Sequence, residues 1–162
     1  MLILGKIKYM HDIGTKDFYF SIEEKSSKDD LFFLTVNING TSFSDYENPI
    51  IISQFIESID KLLNISSYFI DGLDNNNIEE KLRIIDKFNA LEYLELEQNI
   101  TDFENSAVRS KDKVFFFYKL PAHPFYETTL SIKVGAGYAY IVPIESVRVA
   151  VNELQKYLNI SI

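Results

Sequence analysis

The chain of 162 residues contains no cysteine. That absence removes disulfides, thiolate chemistry and Cys-ligated zinc together, and it fits a cytoplasmic setting. Arginine is scarce, with Arg83, Arg109 and Arg148 the full set. No apolar run approaches the roughly 20 residues that a membrane-spanning helix needs. The start, Met1-Leu2-Ile3-Leu4-Gly5-Lys6, places charge after a short apolar run, which is not the pattern of a secretory leader. The expectation is a cytoplasmic protein without a membrane partner. A last absence is local: Phe88 to Val108 holds no Lys or Arg, yet carries Glu92, Glu95, Glu97, Asp102 and Glu104.

What is present begins with that charge. Residues 1–60 hold 5 basic and 10 acidic side chains, 61–110 hold 5 and 10, and 111–162 hold 6 and 4, which sums to the net −8. A chain so acidic is a poor nucleic-acid binder, because phosphate contacts need clustered Lys and Arg. An acidic surface beside a nearly neutral C-terminal third points instead to a basic partner. The hydrophobic fraction of 46%, with 13 Phe and 10 Tyr, predicts an ordinary packed core. At this length one domain over 1–162 is expected, able to bury roughly 70% of the surface its unfolded form exposes.

The first 44 residues read as a β-meander, with strands over 2–10, 16–24 and 31–38. His11-Asp12-Ile13-Gly14 supplies turn chemistry between the first two. Asn39-Gly40 between two alternating stretches predicts a two-residue hairpin, because a type I′ turn needs positive φ at both central residues. Ile52, Phe55, Ile56, Ile59, Leu62 and Leu63 then recur at helical spacing, with Pro49 just ahead of them. Asn77 has the form of an N-cap, with Glu80 three residues on, for a second helix striped by Ile78, Leu82, Ile85 and Phe88. Leu94-Glu95-Leu96-Glu97 alternates like a strand, and a helical reading of 90–110 stays open.

From Val114 the pattern clears. The near-continuous apolar run to Leu120 suits a central strand. Thr128–Val134 and Tyr138–Val142 flank Gly135-Ala136-Gly137 as a hairpin. A closing helix is lined by Val147, Ala150, Val151, Leu154 and Leu158. Strands arriving in hairpins rather than alternating with helices predict an α+β fold: an antiparallel sheet of about six strands, with helices packed mainly on one face.

Catalytic patterns are weak. A two-histidine acid/base pair of the ribonuclease kind would bring His11 and His123 together, with Lys119 near the second, to give a small nuclease-like enzyme. Two independent loop histidines is the simpler reading. No Gly-x-Ser-x-Gly, no HExxH and no complete phosphate loop is present, so no cofactor or metal site is expected. Adjacent acids such as Glu23/Glu24, Asp29/Asp30 and Glu79/Glu80 are read as solvated turns or a helix start rather than a glycosidase pair. The base-free stretch differs, because its carboxylates are interleaved with Phe88, Tyr93 and Phe103. Charge speeds and selects an encounter, while desolvated aromatics hold it. The residues expected to meet a partner are therefore Asp71, Asp74, Glu79, Glu92, Tyr93, Glu95, Glu97, Asp102 and Glu104.

The stretch from Leu31 to Leu63 carries a resemblance. A strand closing on Val36-Asn37-Ile38-Asn39-Gly40, a short second strand and a Pro-led amphipathic helix resemble the N-terminal half of bacterial immunity proteins. These are the cytosolic antidotes to polymorphic or contact-dependent inhibition toxins. Acidity, size and the missing cysteine are also similar to that class, and the absence of Trp leaves the subfamily unassigned. The resemblance implies a non-enzymatic protein that binds one cognate toxin domain, often a basic nuclease, stoichiometrically. The alternatives are the two-histidine enzyme and an acidic interaction module with no toxin partner. Monomer and homodimer are both open.

Overall fold

The computed structural model describes residues 10–23, 30–43, 49–73, 77–86, 104–119 and 137–159. The architecture is α+β, with antiparallel strand pairing throughout the named sheets and helices packed against them. Strands β1 (Met10–Gly14), β2 (Phe18–Glu23), β4 (Leu34–Ile38) and β5 (Thr41–Phe43) form a four-stranded sheet in the order β1-β2-β4-β5. Strands β3 (Leu31–Phe32) and β6 (Ile50–Ile51) make a two-stranded ribbon, and β7 (Glu104–Ser110), β8 (Lys113–Lys119) and β9 (Gly137–Pro143) a three-stranded sheet. Among the described residues the strands are thus divided among three sheets, where one sheet of about six was expected.

The first sheet follows its period-two pattern. Phe18, Phe20 and Ile22 are buried, while Tyr19, Ser21 and Glu23 on the other face are half-buried. The Asn39-Gly40 turn forms as expected, with φ of 48° and 85° and Ile38 opposite Thr41. Two boundaries differ from the sequence reading. His11–Gly14 is strand rather than turn, paired from His11↔Ile22 to Gly14↔Tyr19. The turn lies at 15–17, where the Thr15 hydroxyl accepts the Phe18 N–H. The stretch 31–38 is likewise broken at Phe33, whose N–H donates to Glu23 Oε1 at 3.0 Å. That bond and the Glu23 N–H to Phe33 carbonyl contact release Leu31–Phe32 to pair with β6.

Helix α1 (Ile52–Asn64) buries all six residues of its predicted stripe, from Ile52 to Leu63. Its start is capped from a distance. The Asp30 carboxylate accepts the Ser53 N–H at 3.1 Å and the Ser53 hydroxyl, and the Asp30 carbonyl accepts the Ile52 N–H. Pro49 precedes β6 rather than the helix itself. Helix α3 (Ile144–Leu158) buries Val147, Ala150, Val151 and Leu154 and ends on Asn159 in the left-handed conformation.

One core cluster draws on both larger sheets. It joins Phe18, Phe20, Val36 and Phe43 to Ala107, Val114, Phe116 and Val142, roofed by α1 and α3. Phe18 of β2 and Phe116 of β8 stack with ring centroids 5.3 Å apart. The opposite face of the three-stranded sheet carries a second cluster of Val108, Phe115 and Phe117 around Leu73, with Ile70 and Ile84 against it. Helix α2 (Ile78–Asp86) belongs to that side. The predicted strands over 2–9 and Thr128–Val134 lie outside the described residues.

Candidate recognition surface

The segment from Leu62 to Glu80 holds no Lys or Arg. Its course is fixed by its apolar residues. Leu73 is fully buried in the second cluster, so the turn at Asp71-Gly72 is pulled against the three-stranded sheet. Gly72 takes φ of 71°, the left-handed region that a side chain resists. The chain then enters α2, where Asn77 Oδ1 accepts the Glu80 N–H at 2.9 Å, as the capping pattern predicted. This anchoring leaves Asp71, Glu79 and Glu80 exposed.

Three cations around this segment have specific partners. Lys61 pairs with Glu57 at 3.0 Å, and this hydrogen bond and the carboxylate's charge raise the Lys61 pKa above its ordinary value. Lys81 is 9% exposed, its ammonium 5.3 Å from the Phe115 ring centroid. Arg109 donates from Nε to the Leu62 carbonyl at 3.0 Å and from Nη2 to the Ile65 carbonyl at 3.1 Å, with its guanidinium over Phe69. These cations are satisfied by one α1 carboxylate, an aromatic face and the carbonyls at a helix end. Arg83 is exposed four residues after Glu79. Among the described residues, Asp71, Glu79, Glu80 and Arg83 form no ion pair. Asp71, Glu79 and Glu80 thus stand exposed and without an ion pair among the described residues, while Lys81 and Arg109 keep their charge against neutral partners.

Of the residues expected at a partner interface, Asp71 and Glu79 are both exposed, the first at the turn before Leu73 and the second in the first turn of α2. Glu104 opens β7, in register with Lys119. Asp74, Glu92, Tyr93, Glu95, Glu97 and Asp102 lie outside the described residues, as does the strand reading of Leu94–Glu97. His11 sits on exposed β1 with its ring 5.3 Å from that of Tyr157 on α3, and His123 also lies outside the described residues. Among the described residues no group of three His, Cys, Asp or Glu could hold a metal ion, and no helix is long and apolar enough to cross a membrane.

Two residues that shape this surface escaped the sequence reading. Lys81 falls three residues after Ile78 and four before Ile85, on the predicted apolar stripe of α2, and a lysine there signals a buried stem. Arg109 follows Ala107 and Val108 at the end of the base-free stretch, but its partners 44 and 47 residues away leave no local signal. Compared with protein families, with curated proteins and with solved structures, the chain matches none.

Proposed function

We propose that this chain is a non-enzymatic immunity or inhibitor protein that binds and neutralises a basic toxin domain through its acidic surface. The observation that carries this reading is the set Asp71, Glu79 and Glu80: exposed, anchored by Leu73 and the Asn77 cap, and without an ion pair among the described residues. A fixed array of exposed carboxylates accelerates encounter with a cationic surface and rejects acidic ones.

The test is co-purification with the C-terminal domain of a toxin encoded immediately upstream, followed by stopped-flow association. Asp71→Lys, Glu79→Lys and Glu80→Lys combined should slow association at least ~tenfold at low ionic strength, with the difference shrinking as salt is added. An unchanged on-rate removes this set from the interface. Failure of the toxin domain to bind at all removes the immunity reading.

A further inference from the structure

We infer that Arg109 is a positioning residue, a latch that holds the segment from Ile65 to Leu73 in a single conformation and so sets where Asp71 stands on the acidic surface. The last turn of α1 leaves carbonyls without intrahelical partners. The Ile65 N–H takes the Lys61 carbonyl at 2.8 Å, and the next, on Leu62, receives Arg109 Nε. Nη2 of the same guanidinium donates to the Ile65 carbonyl, and that carbonyl also accepts the Tyr68 N–H at 3.2 Å.

The planar fork thus spans the helix end and the 3-10 turn at Ser66–Tyr68 that follows it. Its face lies over Phe69, 5.3 Å from the ring centroid. The backbone repeats the connection: Phe69 forms a parallel bridge with Arg109, and the Ile70 N–H donates to the Arg109 carbonyl at 2.9 Å. Side-chain and backbone hydrogen bonds from this one residue thus join β7 to the segment, beside the apolar packing of Ile70 and Leu73 in the second cluster.

Lysine cannot replace this arrangement. It carries the same charge but a single point donor, so it reaches one carbonyl and does not stack flat on a ring. Arg109→Lys leaves the net charge unchanged, which separates positioning from electrostatics.

Hydrogen exchange decides the latch in the free protein. In Arg109→Lys the amides of Tyr68, Phe69 and Ile70 should exchange at least ~tenfold faster, while those of β8 and α3 keep their wild-type rates. Phe69→Leu, which removes only the ring under the guanidinium, should give a smaller increase at the same amides and covers the case in which the arginine variant does not fold. Unchanged exchange at 68–70 overturns the latch, and so does an equal acceleration in β8, which would mark general destabilisation.

The consequence for the acidic surface rests on the recognition reading above. With decalysine as the cationic probe, Arg109→Lys should weaken binding at least ~threefold at constant ionic strength. Equal affinity in a variant whose segment has loosened overturns the positioning role. If wild type does not bind decalysine, or binds it equally after Asp71→Asn and Glu79→Gln, the acidic-surface reading fails, and the exchange result still decides the latch.

Discussion

Asn39 combines two physical roles that a sequence presents as one. Its backbone sits at φ 48° in the first turn position, a region where Asn is tolerated and β-branched residues are not. Its side-chain Nδ2 donates to the Ile141 carbonyl at 3.1 Å, tying the tip of the β4–β5 hairpin to β9 of the other sheet. Nearby, Phe43 meets Tyr140 edge to face with centroids 5.5 Å apart. Asn39→Gly keeps the conformation and loses the inter-sheet bond, so urea unfolding should show a loss of about 0.5–1 kcal/mol. Asn39→Ala also forfeits the left-handed preference and should lose about 1 kcal/mol more. Equal stability of the two variants would show that the turn conformation costs nothing here. The turn was legible in the sequence because Asn-Gly acts on its own backbone. The bond to Ile141 was not, because it joins positions 102 residues apart.

The same division runs through the elements. Helix α1 shows its whole buried stripe in the sequence, since spacing of three and four is a property of the helix alone. Both of its ends are finished by remote residues: Asp30 caps the start, and Arg109 takes up carbonyls at the finish. Helix α2, by contrast, is capped by its own Asn77, and that cap was visible in advance. The misplaced first turn has a related cause. Asp and Gly at positions 12 and 14 look like turn residues, but Gly14 closes a strand at φ 129°, and a Cβ there would also stand 2.6 Å from the Phe18 carbonyl oxygen. The remote cap has a measurable weight. Asp30→Ala should destabilise the protein by about 0.5–2 kcal/mol, whereas Asp30→Asn, an equally good capping side chain, should recover most of that loss in thermal or urea unfolding. If the Asn variant is as unstable as the Ala variant, the effect comes from the negative charge at the helix start rather than from the hydrogen bonds.

At the scale of the molecule, the hydrophobic pattern forecast the α+β class and the antiparallel pairing but gathered into one sheet strands that form three among the described residues. Period-two alternation says which face of a strand is buried and not which sheet the strand joins. The core supplies that missing information. Its main cluster interleaves β2, β4 and β5 with β7, β8 and β9, so on the shared face neither larger sheet closes a core alone. The Phe18–Phe116 stack lies across this join, and both rings are fully buried. A cluster shared in this way predicts one cooperative unit. Phe116→Ala should cost about 3–5 kcal/mol, a large share of the ~5–15 kcal/mol that holds a domain together. The loss should appear equally at amides of β2 and β8 in native-state hydrogen exchange, because each sheet is the other's wall. Weakened protection confined to the three-stranded sheet would instead mean that the β1-β2-β4-β5 sheet, with α1 and α3, folds without it. In that case the acidic surface, which rests on the second cluster behind β8, would ride on a separately opening unit, and its Asp71 and Glu79 geometry would depend on conditions that leave the rest of the molecule intact.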